Sequence, residues 1–423
     1  MTTTRAAPTP RRTRWEGGIL ILALGTLTAG LTGPGQTIGV SVFNPKMEAA
    51  LNLSSERVSL AYLIGTLTGA LLLPRVGQLI DARGVRRAQI IIGGLFALAL
   101  VNMSFVNGFI WLAIGFTGIR FLGQGSLSLI STVTVSLGYV RNRGTALGVY
   151  SMASHGLMAL VPFGLAITIA AVGWRSAWLV SAAVVLATVV PIAVFGLRRL
   201  PTNSASPVDP DDQTTTPAPS LDRSEAARTR SFWLLVAVSS SAGMMSTALN
   251  FYQISWMAEA GISEAAAAAL FIPQVLGAAV AGLAIGWASD RIGTRYLPAI
   301  CMALLVVSHL LAAIASPGFI VVGYGIVLGA MGGGVRTATA SLLPAWFGTT
   351  HLGAVQGLLT FFNVGASALG PFALANARTW FGSYPPALLL LAVVPAAALI
   401  FSLFDDPKLR ARLAKEAAAQ TTV

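Results

Sequence analysis

Charged side chains are scarce in this chain. Asp, Glu, Lys and Arg make up only 10% of its 423 residues, whereas 55% of the residues are hydrophobic. Soluble domains carry about 25% charged residues, and a soluble fold of this size could not bury so much apolar surface. The composition therefore excludes an ordinary soluble protein and predicts one whose solvent is largely a lipid bilayer.

Cysteine is nearly absent as well, and the usual catalytic constellations are missing. The single cysteine, Cys301, lies in an apolar run, so it can form no intramolecular disulfide, and no metal-ligand spacing surrounds it. We find no phosphate-binding loop and no nucleophile accompanied by a base and an acid. The glycine-rich stretch 329–334 lies within an apolar span, where it favours helix packing over nucleotide binding. We therefore expect no enzyme activity, no metal and no cofactor.

What the chain does contain is a regular series of twelve apolar runs. Each is long enough to cross a bilayer, which takes about 17–25 residues. They cover residues 18–43, 58–76, 88–106, 109–137, 145–171 and 177–197 in the first half, and 232–257, 265–287, 297–315, 319–346, 354–375 and 386–404 in the second. The sequence thus predicts an all-α membrane protein with twelve transmembrane helices in two pseudo-symmetric six-helix bundles.

Polar segments separate and flank the two sets of runs. We expect a cytoplasmic tail at 1–16, an N-terminal bundle at 17–197, a C-terminal bundle at 231–404 and a second cytoplasmic tail at 405–423. The segment between the bundles, 198–230, combines prolines, acidic residues and a run of threonines. It has too little apolar content to fold alone, so we predict a disordered linker.

The net charge of +12 could indicate a nucleic-acid binder, but its distribution indicates membrane topology. Twenty of the 27 Lys and Arg residues fall in segments on one side of the predicted membrane, and four fall in segments on the other. Basic residues accumulate on the cytoplasmic side. We therefore expect a multi-pass protein of the plasma (inner) membrane, with both termini in the cytoplasm, surrounded by lipid and without a nucleic-acid partner. We also expect it to be a monomer.

A short charged turn recurs in the two halves. The first copy covers 77–87 and the second 286–295, so that Asp81 aligns with Asp290. A second pair, Gly144 and Gly353, aligns at the same offset of 209 residues. Two matches at one offset indicate an internal duplication, and duplicated halves of a membrane protein are typical of transporters.

The first turn resembles a signature of the major facilitator superfamily, Gly-x-Leu-x-Asp-Arg-x-Gly-Arg-Arg, with Arg83 placed one position later than the first base of that pattern. Residues 120–125, Arg-Phe-Leu-Gly-Gln-Gly, resemble the fourth-helix motif of the same family. The resemblance covers essentially the whole chain and implies a secondary transporter that works by alternating access. For the two turns we expect a cytoplasmic gate, formed by Gly77, Asp81, Arg83, Gly84, Arg87, Asp290 and Arg291.

Within that superfamily the chain is most similar to the oxalate:formate antiporter and monocarboxylate transporter branch. The likeness lies in residues 33–37 (Gly-Pro-Gly-Gln-Thr), in 344–348 (Pro-Ala-Trp-Phe-Gly) with 351–353 (His-Leu-Gly), and in 370–371 (Gly-Pro). It implies that the cargo is a small organic anion, a monocarboxylate.

Two arginines lie within predicted spans, Arg120 in the fourth and Arg336 in the tenth, which are counterparts in the two halves. A charge inside a bilayer needs a partner, a water-filled cavity or a ligand, and none of the 15 acidic residues lies centrally in a predicted span. Guanidinium groups bind carboxylates through paired hydrogen bonds. We therefore expect an anionic cargo to bind Arg120 and Arg336. The alternative for Arg120 is that it only organises helix packing.

Polar residues of other spans could complete the binding site. They are Gln36, Thr37, His155, Asn250, Tyr252, Gln253, Gln274 and Asn363. His155 is a candidate proton carrier, because imidazole titrates near neutrality, so proton symport and anion exchange both stay open. The remaining alternatives are a proton-coupled exporter of a neutral or larger natural product, and a transporter-like membrane sensor that binds its ligand without moving it.

Overall fold

The computed structural model describes residues 18–139, 143–198, 221–291, 296–348 and 351–404. Helices make up nearly all of this part of the chain, and no strand occurs in it. Ten of the helices are long and apolar enough to cross a membrane. One of the ten bends back at Gly173, and a shorter apolar helix adds a further span, so the described residues form twelve spans in all.

Six spans make up the N-terminal bundle and six the C-terminal bundle. The first six are α1 (Gly18–Leu51), α2 (Ser55–Ile80), α3 (Ala82–Ser104), α4 (Phe109–Gly138), α5 (146–172) and α6 (174–196), of which α5 and α6 are the two arms of the bent helix. The second six are α7 (Arg230–Phe251), α8 (Glu264–Ala288), α9 (Leu297–Ala313), α10 (Phe319–Phe347), α11 (Ala354–Phe381) and α12 (Tyr384–Leu403).

Two glycines turn the chain between antiparallel spans. Gly84 has φ 74° and ψ 159°, and Gly173 has φ 79° and ψ 161°. This region of backbone conformation strongly favours glycine, so one residue suffices where a longer loop would otherwise be needed. The turn around Gly84 is consequently tighter than the sequence predicts, since helical residues continue almost without interruption from α2 into α3.

The first span is interrupted near its middle. Gly33–Gly35 forms a single 3-10 turn between two α-helical segments, and Pro34 at its centre has no N–H to donate. The break leaves the carbonyl of Gly35 free for a partner outside α1. Gln36, the residue after the break, has an extended backbone, and the second helical segment begins at Thr37.

The last ten residues of the predicted linker are folded, so the prediction of disorder is wrong for 221–230. Arg223–Ala227 forms a helical turn, in which Asp222 accepts hydrogen bonds from the N–H groups of Ser224 and Glu225 while Glu225 accepts one from Asp222 N–H. This reciprocal cap satisfies backbone N–H groups at the start of the helical turn. The linker prediction rested on amino-acid composition and did not consider this cap. The bond from the Glu225 N–H, together with those from Ser224, holds the pKa of Asp222 below its usual value. Residues 199–220 and the predicted tails 1–16 and 405–423 lie outside the described residues.

Glycines let α8 and α10 cross at close range. A Cβ at Gly329 would collide with the backbone carbonyl of Gln274, and one at Gly333 would collide with the carbonyl of Ala278. Gly277 faces the carbonyl of Ile326 in the same way. Small residues spaced four apart allow such contacts between membrane helices, where packing replaces the hydrophobic effect as the main attraction.

The two bundles are joined by polar contacts at one end. Asn44 Nδ2 donates to the carbonyl of Phe251 (2.7 Å), the Tyr252 hydroxyl donates to the carbonyl of Ser55 (2.7 Å), and Lys46 lies 2.8 Å from Glu264. Thr379 and Glu56 form a further hydrogen bond there. These residues surround the connections between α1 and α2, α7 and α8, and α11 and α12. We call this the closed end of the molecule.

We predict that Gly329→Ala destabilises the protein, because the added methyl group must displace the α8 backbone. Overpacking of this kind costs about 1–3 kcal/mol. Gly323→Ala on the same helix is the matched control, since a Cβ there would meet nothing within 4 Å. Thermal unfolding of the detergent-solubilised variants should show a lowered Tm for Gly329→Ala alone. Equal melting temperatures for the two variants would contradict the close crossing.

Candidate functional site

A cavity lies between the two bundles, and residues from both line it. Its central section has a volume of about 190 Å³. From the N-terminal bundle it is lined by Ile38, His155 and Met158, and from the C-terminal bundle by Asn250, Gln274 and Arg336, among others. Further sections extend into the N-terminal bundle (about 410 Å³), into the C-terminal bundle (about 310 Å³) and between α5, α8 and α10 (about 750 Å³).

The largest section opens away from the closed end. Its lining includes Gly148 and Met152 near the start of α5, Leu283 near the end of α8, and Ser341 near the end of α10. These positions are at the opposite end of the bundles from the Lys46–Glu264 contact. The conformation is therefore one in which the central cavity is shut at one end and reached from the other.

Arg336 on α10 contributes to three of the four sections. Its side chain is exposed to the cavity, and it makes no hydrogen bond or ion pair with any residue that the structure describes. The two ion pairs of the described chain, Lys46–Glu264 and Arg378–Glu259, lie elsewhere. No Asp or Glu lines any of the four sections. Arg336 is thus a cation that faces the cavity without a described counter-charge.

From the sequence we expect both arginines to bind the cargo, but Arg120 does not line the cavity. It is only 4% exposed, and it is not among the lining residues of the four sections. Its Nε donates to Thr66 Oγ1 (3.1 Å), and its Nη1 lies 3.3 Å from both Gly35 O and Thr37 Oγ1. The guanidinium also stacks 4.7 Å above the ring of Tyr62.

The break in α1 explains this difference. It frees the carbonyl of Gly35 for Arg120, and Thr37 accepts from Arg120 while sharing a hydrogen bond with the Tyr62 hydroxyl (2.7 Å). Arg120 therefore fixes the broken segment of α1 against α2 and α4. These contacts are of the kind expected for the packing role that the sequence leaves open as an alternative, and of the two arginines Arg336 is the one that lines the cavity sections.

The motif that contains Arg120 is not a regular α-helix. Arg120–Leu127 has π-type hydrogen bonding, in which each N–H reaches one residue further back than in an α-helix. Gln124 is thereby rotated relative to Arg120, and it lines the section in the N-terminal bundle. Its Oε1 is buried and has no hydrogen-bond partner among the described residues. Such π-bulges are frequent at functional sites.

His155 on α5 lies where three of the sections meet. Its Nδ1 is 2.6 Å from the carbonyl of Ser151, a geometry in which Nδ1–H donates. In the neutral ring Nε2 is then a free acceptor, and it makes no hydrogen bond with the described residues. His155 and Arg336 line the same central section.

The predicted polar residues of the C-terminal bundle fall into two groups. Asn250 and Gln274 line the central section, and Asn363 lines the section in that bundle, where its Nδ2 donates to the carbonyl of Ser239 (2.6 Å). Tyr252 and Gln253 are fully buried and do not line the cavity sections. Tyr252 bonds Ser55 at the closed end, as described above.

Gln253 instead positions Gln274. Gln253 Nε2 donates to the carbonyl of Ala267 (2.8 Å), and its Oε1 accepts from Gln274 Nε2 (2.8 Å).

Of the predicted pair in α1, Gln36 lines the section in the N-terminal bundle, and its Nε2 donates to Thr32 (2.9 Å). Thr37 instead belongs to the hydrogen-bond network of Arg120.

Several lining residues were not predicted from the sequence. In the N-terminal bundle they are Gln124, Ser128, Thr132, Tyr150, Ser151 and Ser154, and in the C-terminal bundle Ser239, Thr339, Gln356 and Thr360. A usable signal was present. Ser128 and Thr132 are four residues apart, as are Tyr150 and Ser154, which places each pair on one face of an otherwise apolar helix.

The predicted gate is described only in part. Gly84 makes the turn, and Arg83 and Arg87 are exposed. A Cβ at Gly77 would meet nothing within 4 Å, so no close helix approach occurs there in this conformation. Arg291 lies over the ring of Trp287 at 5.2 Å. The side chains of Asp81 and Asp290 lie outside the described residues, so the latch that we expect from them stays a prediction.

Arg86, which was not predicted to act in the gate, donates to the carbonyls of Ala193 and Val194 at the end of α6 (3.2 Å each). This contact ties the start of α3 to α6 inside the N-terminal bundle. Positive side chains at helix C-termini are favoured by the helix dipole.

Comparison with known proteins identifies the family. The sequence model of the Major Facilitator Superfamily matches residues 22–277 and again 242–423. The chain belongs to this superfamily. A superfamily member with this fold is a transporter and not an enzyme. No curated protein sequence matches the chain significantly.

Solved structures of transporters have the same fold as this superfamily member. A bacterial homolog of the human lysosomal transporter Spinster, in an inward-facing and unoccupied conformation, has a TM-score of 0.72 at 16% identity, with 92% of this chain and 96% of that chain covered. The nucleoside transporter NupG has a TM-score of 0.72 at 13% identity, with 92% and 100% covered. At such identities the likeness shows the fold alone.

The two arginines should differ in their effect on stability. We predict that Arg120→Gln lowers the free energy of unfolding by about 1–3 kcal/mol, because it leaves buried acceptors without their donor. Arg336→Gln should leave stability unchanged or raise it, since this side chain has no hydrogen bond to lose within the described residues. Thermal unfolding of both variants without added ligand measures this. A larger loss of Tm in Arg336→Gln would contradict the assignment of roles.

Proposed function

We propose that this transporter carries a small organic anion, a monocarboxylate, by alternating access, through proton symport or anion exchange. The observation that supports the proposal is Arg336, a cation that faces the cavity between the bundles with no described acidic residue beside it. An uncompensated charge at this depth costs several kcal/mol. A carboxylate that binds the guanidinium through two hydrogen bonds would remove that cost.

The same contact explains how cargo binding would be coupled to movement. A ligand shifts a conformational equilibrium only through different affinities for the two states. When the bundles close around the cavity, the surroundings of Arg336 lose water and the unpaired charge becomes more costly. A bound anion relieves this cost in the closing carrier more than in the open one. The occupied carrier therefore changes state more readily than the empty carrier.

At each end of the cavity the chain has residues that could close it. At the closed end the Asn44, Tyr252 and Lys46 contacts must break for the cavity to open there. At the other end the charged turns around Gly84 and Arg291 would come together. In the predicted orientation, with the basic turns in the cytoplasm, the conformation described here is open towards the cytoplasm.

His155 offers a route for coupling to protons. Protonation at Nε2 would place a second positive charge in the section that Arg336 lines, so proton binding and anion binding would favour each other. No described acidic residue of the cavity could take this role. If transport is symport, the proton and the anion would therefore cross together through one cavity.

The test is the uptake of labelled carboxylates into proteoliposomes, with and without a pH gradient. Arg336→Gln should lower saturable uptake at least about 30-fold, since removal of one partner from a desolvated charge pair costs roughly 2 kcal/mol or more. Arg336→Lys should retain part of the uptake, because it keeps the charge but loses the bidentate geometry. Saturable uptake that is unchanged in Arg336→Gln would contradict the proposal. Binding without flux would indicate a sensor, and flux of neutral compounds alone would indicate a different cargo.

The role of His155 gives a separate prediction. His155→Gln should abolish the stimulation of uptake by a pH gradient while counterflow of the anion continues, because exchange needs no proton carrier. The wild-type protein, measured with and without the gradient, is the control. Uptake by His155→Gln that still responds to the gradient as the wild type does would exclude His155 as the proton carrier.

A further inference from the structure

We infer that the cargo bears uncharged hydroxyl groups in addition to its single carboxylate, and that these groups bind in the N-terminal bundle. The binding region is formed by Gln36, Gln124, Ser128, Tyr150 and Ser151, which we call the polar subsite. The inference rests on the proposed function and specifies the cargo further. It identifies the class as hydroxylated monocarboxylic acids, such as sugar acids, and not simple alkyl acids.

The polar subsite is continuous with the section that contains Arg336. The two sections, of about 410 and 190 Å³, share His155 and Met158 as lining residues. A molecule whose carboxylate binds Arg336 can therefore extend past His155 towards α1 and α4. A cargo that contacts both regions must be long enough to reach past His155.

The polar subsite has hydrogen-bonding capacity that the protein does not use. The Gln124 side chain makes no hydrogen bond with the described residues, and its Oε1 is buried. The Ser151 hydroxyl has no described partner, although its backbone carbonyl accepts from His155. Gln36 uses its Nε2 towards Thr32 and Ser128, while its Oε1 makes no described bond.

The side chains with unused hydrogen-bonding capacity are amides and hydroxyls, which are suited to bind the hydroxyl groups of a cargo. Amide and hydroxyl side chains both donate and accept, as a cargo hydroxyl does. Buried polar groups without a partner are destabilising, so a ligand that satisfies them binds more tightly than an apolar one of equal size. An alkyl chain in the same place would leave Gln124 and Ser151 unsatisfied.

The charge of the polar subsite limits the cargo to one anionic group. No Asp, Glu, Lys or Arg lines this section, and His155 stands at its junction with the central one. A second carboxylate or an amine in the subsite would therefore have no described partner of opposite charge. In the central section Ile38, Met158 and Phe271 supply an apolar contact for the carbon chain.

The experiment compares gluconate with hexanoate, which have the same carbon number and the same charge. Proteoliposomes take up labelled gluconate, and unlabelled gluconate or hexanoate competes. We expect half-inhibition by gluconate at a concentration at least about 10-fold lower than by hexanoate, because each lost hydrogen bond weakens binding about 3- to 10-fold. The ratio of the half-inhibitory concentration of hexanoate to that of gluconate should fall by about 3- to 10-fold in Gln124→Leu and in Ser151→Ala.

Thr168→Ala is the matched control, since its hydroxyl bonds the carbonyl of Gly164 on the same α5 helix and does not line the polar subsite. Its ratio should equal that of the wild type. Hexanoate that competes as well as gluconate, or a ratio unchanged in both subsite variants, would overturn the inference while the role of Arg336 stands. If no carboxylate is transported at all, the proposed function fails and the inference fails with it.

Discussion

Arg336 projects its guanidinium into a cavity in which no described acidic side chain faces it. Among the described residues Arg336 also lacks the neutral hydrogen-bond partners that hold Arg120, so its charge depends on water or on a ligand that neutralises it. The rest of the structure is arranged around this constraint. The acids of the described chain lie near the ends of the spans, as Glu264 and Glu259 do in their ion pairs at the closed end. The described lining of the cavity therefore contains no acidic group that would compete with the anion that we propose as cargo.

The two arginines of the spans have different surroundings in the two bundles. Arg120 has protein partners for its guanidinium and holds the broken segment of α1 in place. That segment carries Gln36, and the π-type segment beginning at Arg120 carries Gln124 into the cavity. The N-terminal bundle thus offers uncharged polar groups, while the C-terminal bundle offers the positive charge of Arg336. A cargo that binds both would hold the bundles together during closure.

Much of the fold could be predicted from the sequence, because the bilayer imposes a simple pattern. The number of spans follows from the lengths of the apolar runs, and the helices of the described residues agree with it. The superfamily that the recurring turn suggested is confirmed by the family comparison. The site was harder to predict. The sequence treats Arg120 and Arg336 alike, since both are isolated bases in apolar runs. The two arginines differ because Gly35, through its free carbonyl, and Tyr62 contact Arg120. Both residues are far from Arg120 in the sequence and come close to it only in the folded chain. In the same way Tyr252 was expected in the cavity but bonds across the closed end.

The most direct test of the central claim is a structure of the protein with a transported carboxylate bound. The account predicts that both carboxylate oxygens lie within about 3.2 Å of the Arg336 guanidinium nitrogens, with the remainder of the molecule directed towards His155 and Gln124. An anion bound at Arg120, or at Lys46 and Arg378 near the closed end, with nothing beside Arg336, would contradict it.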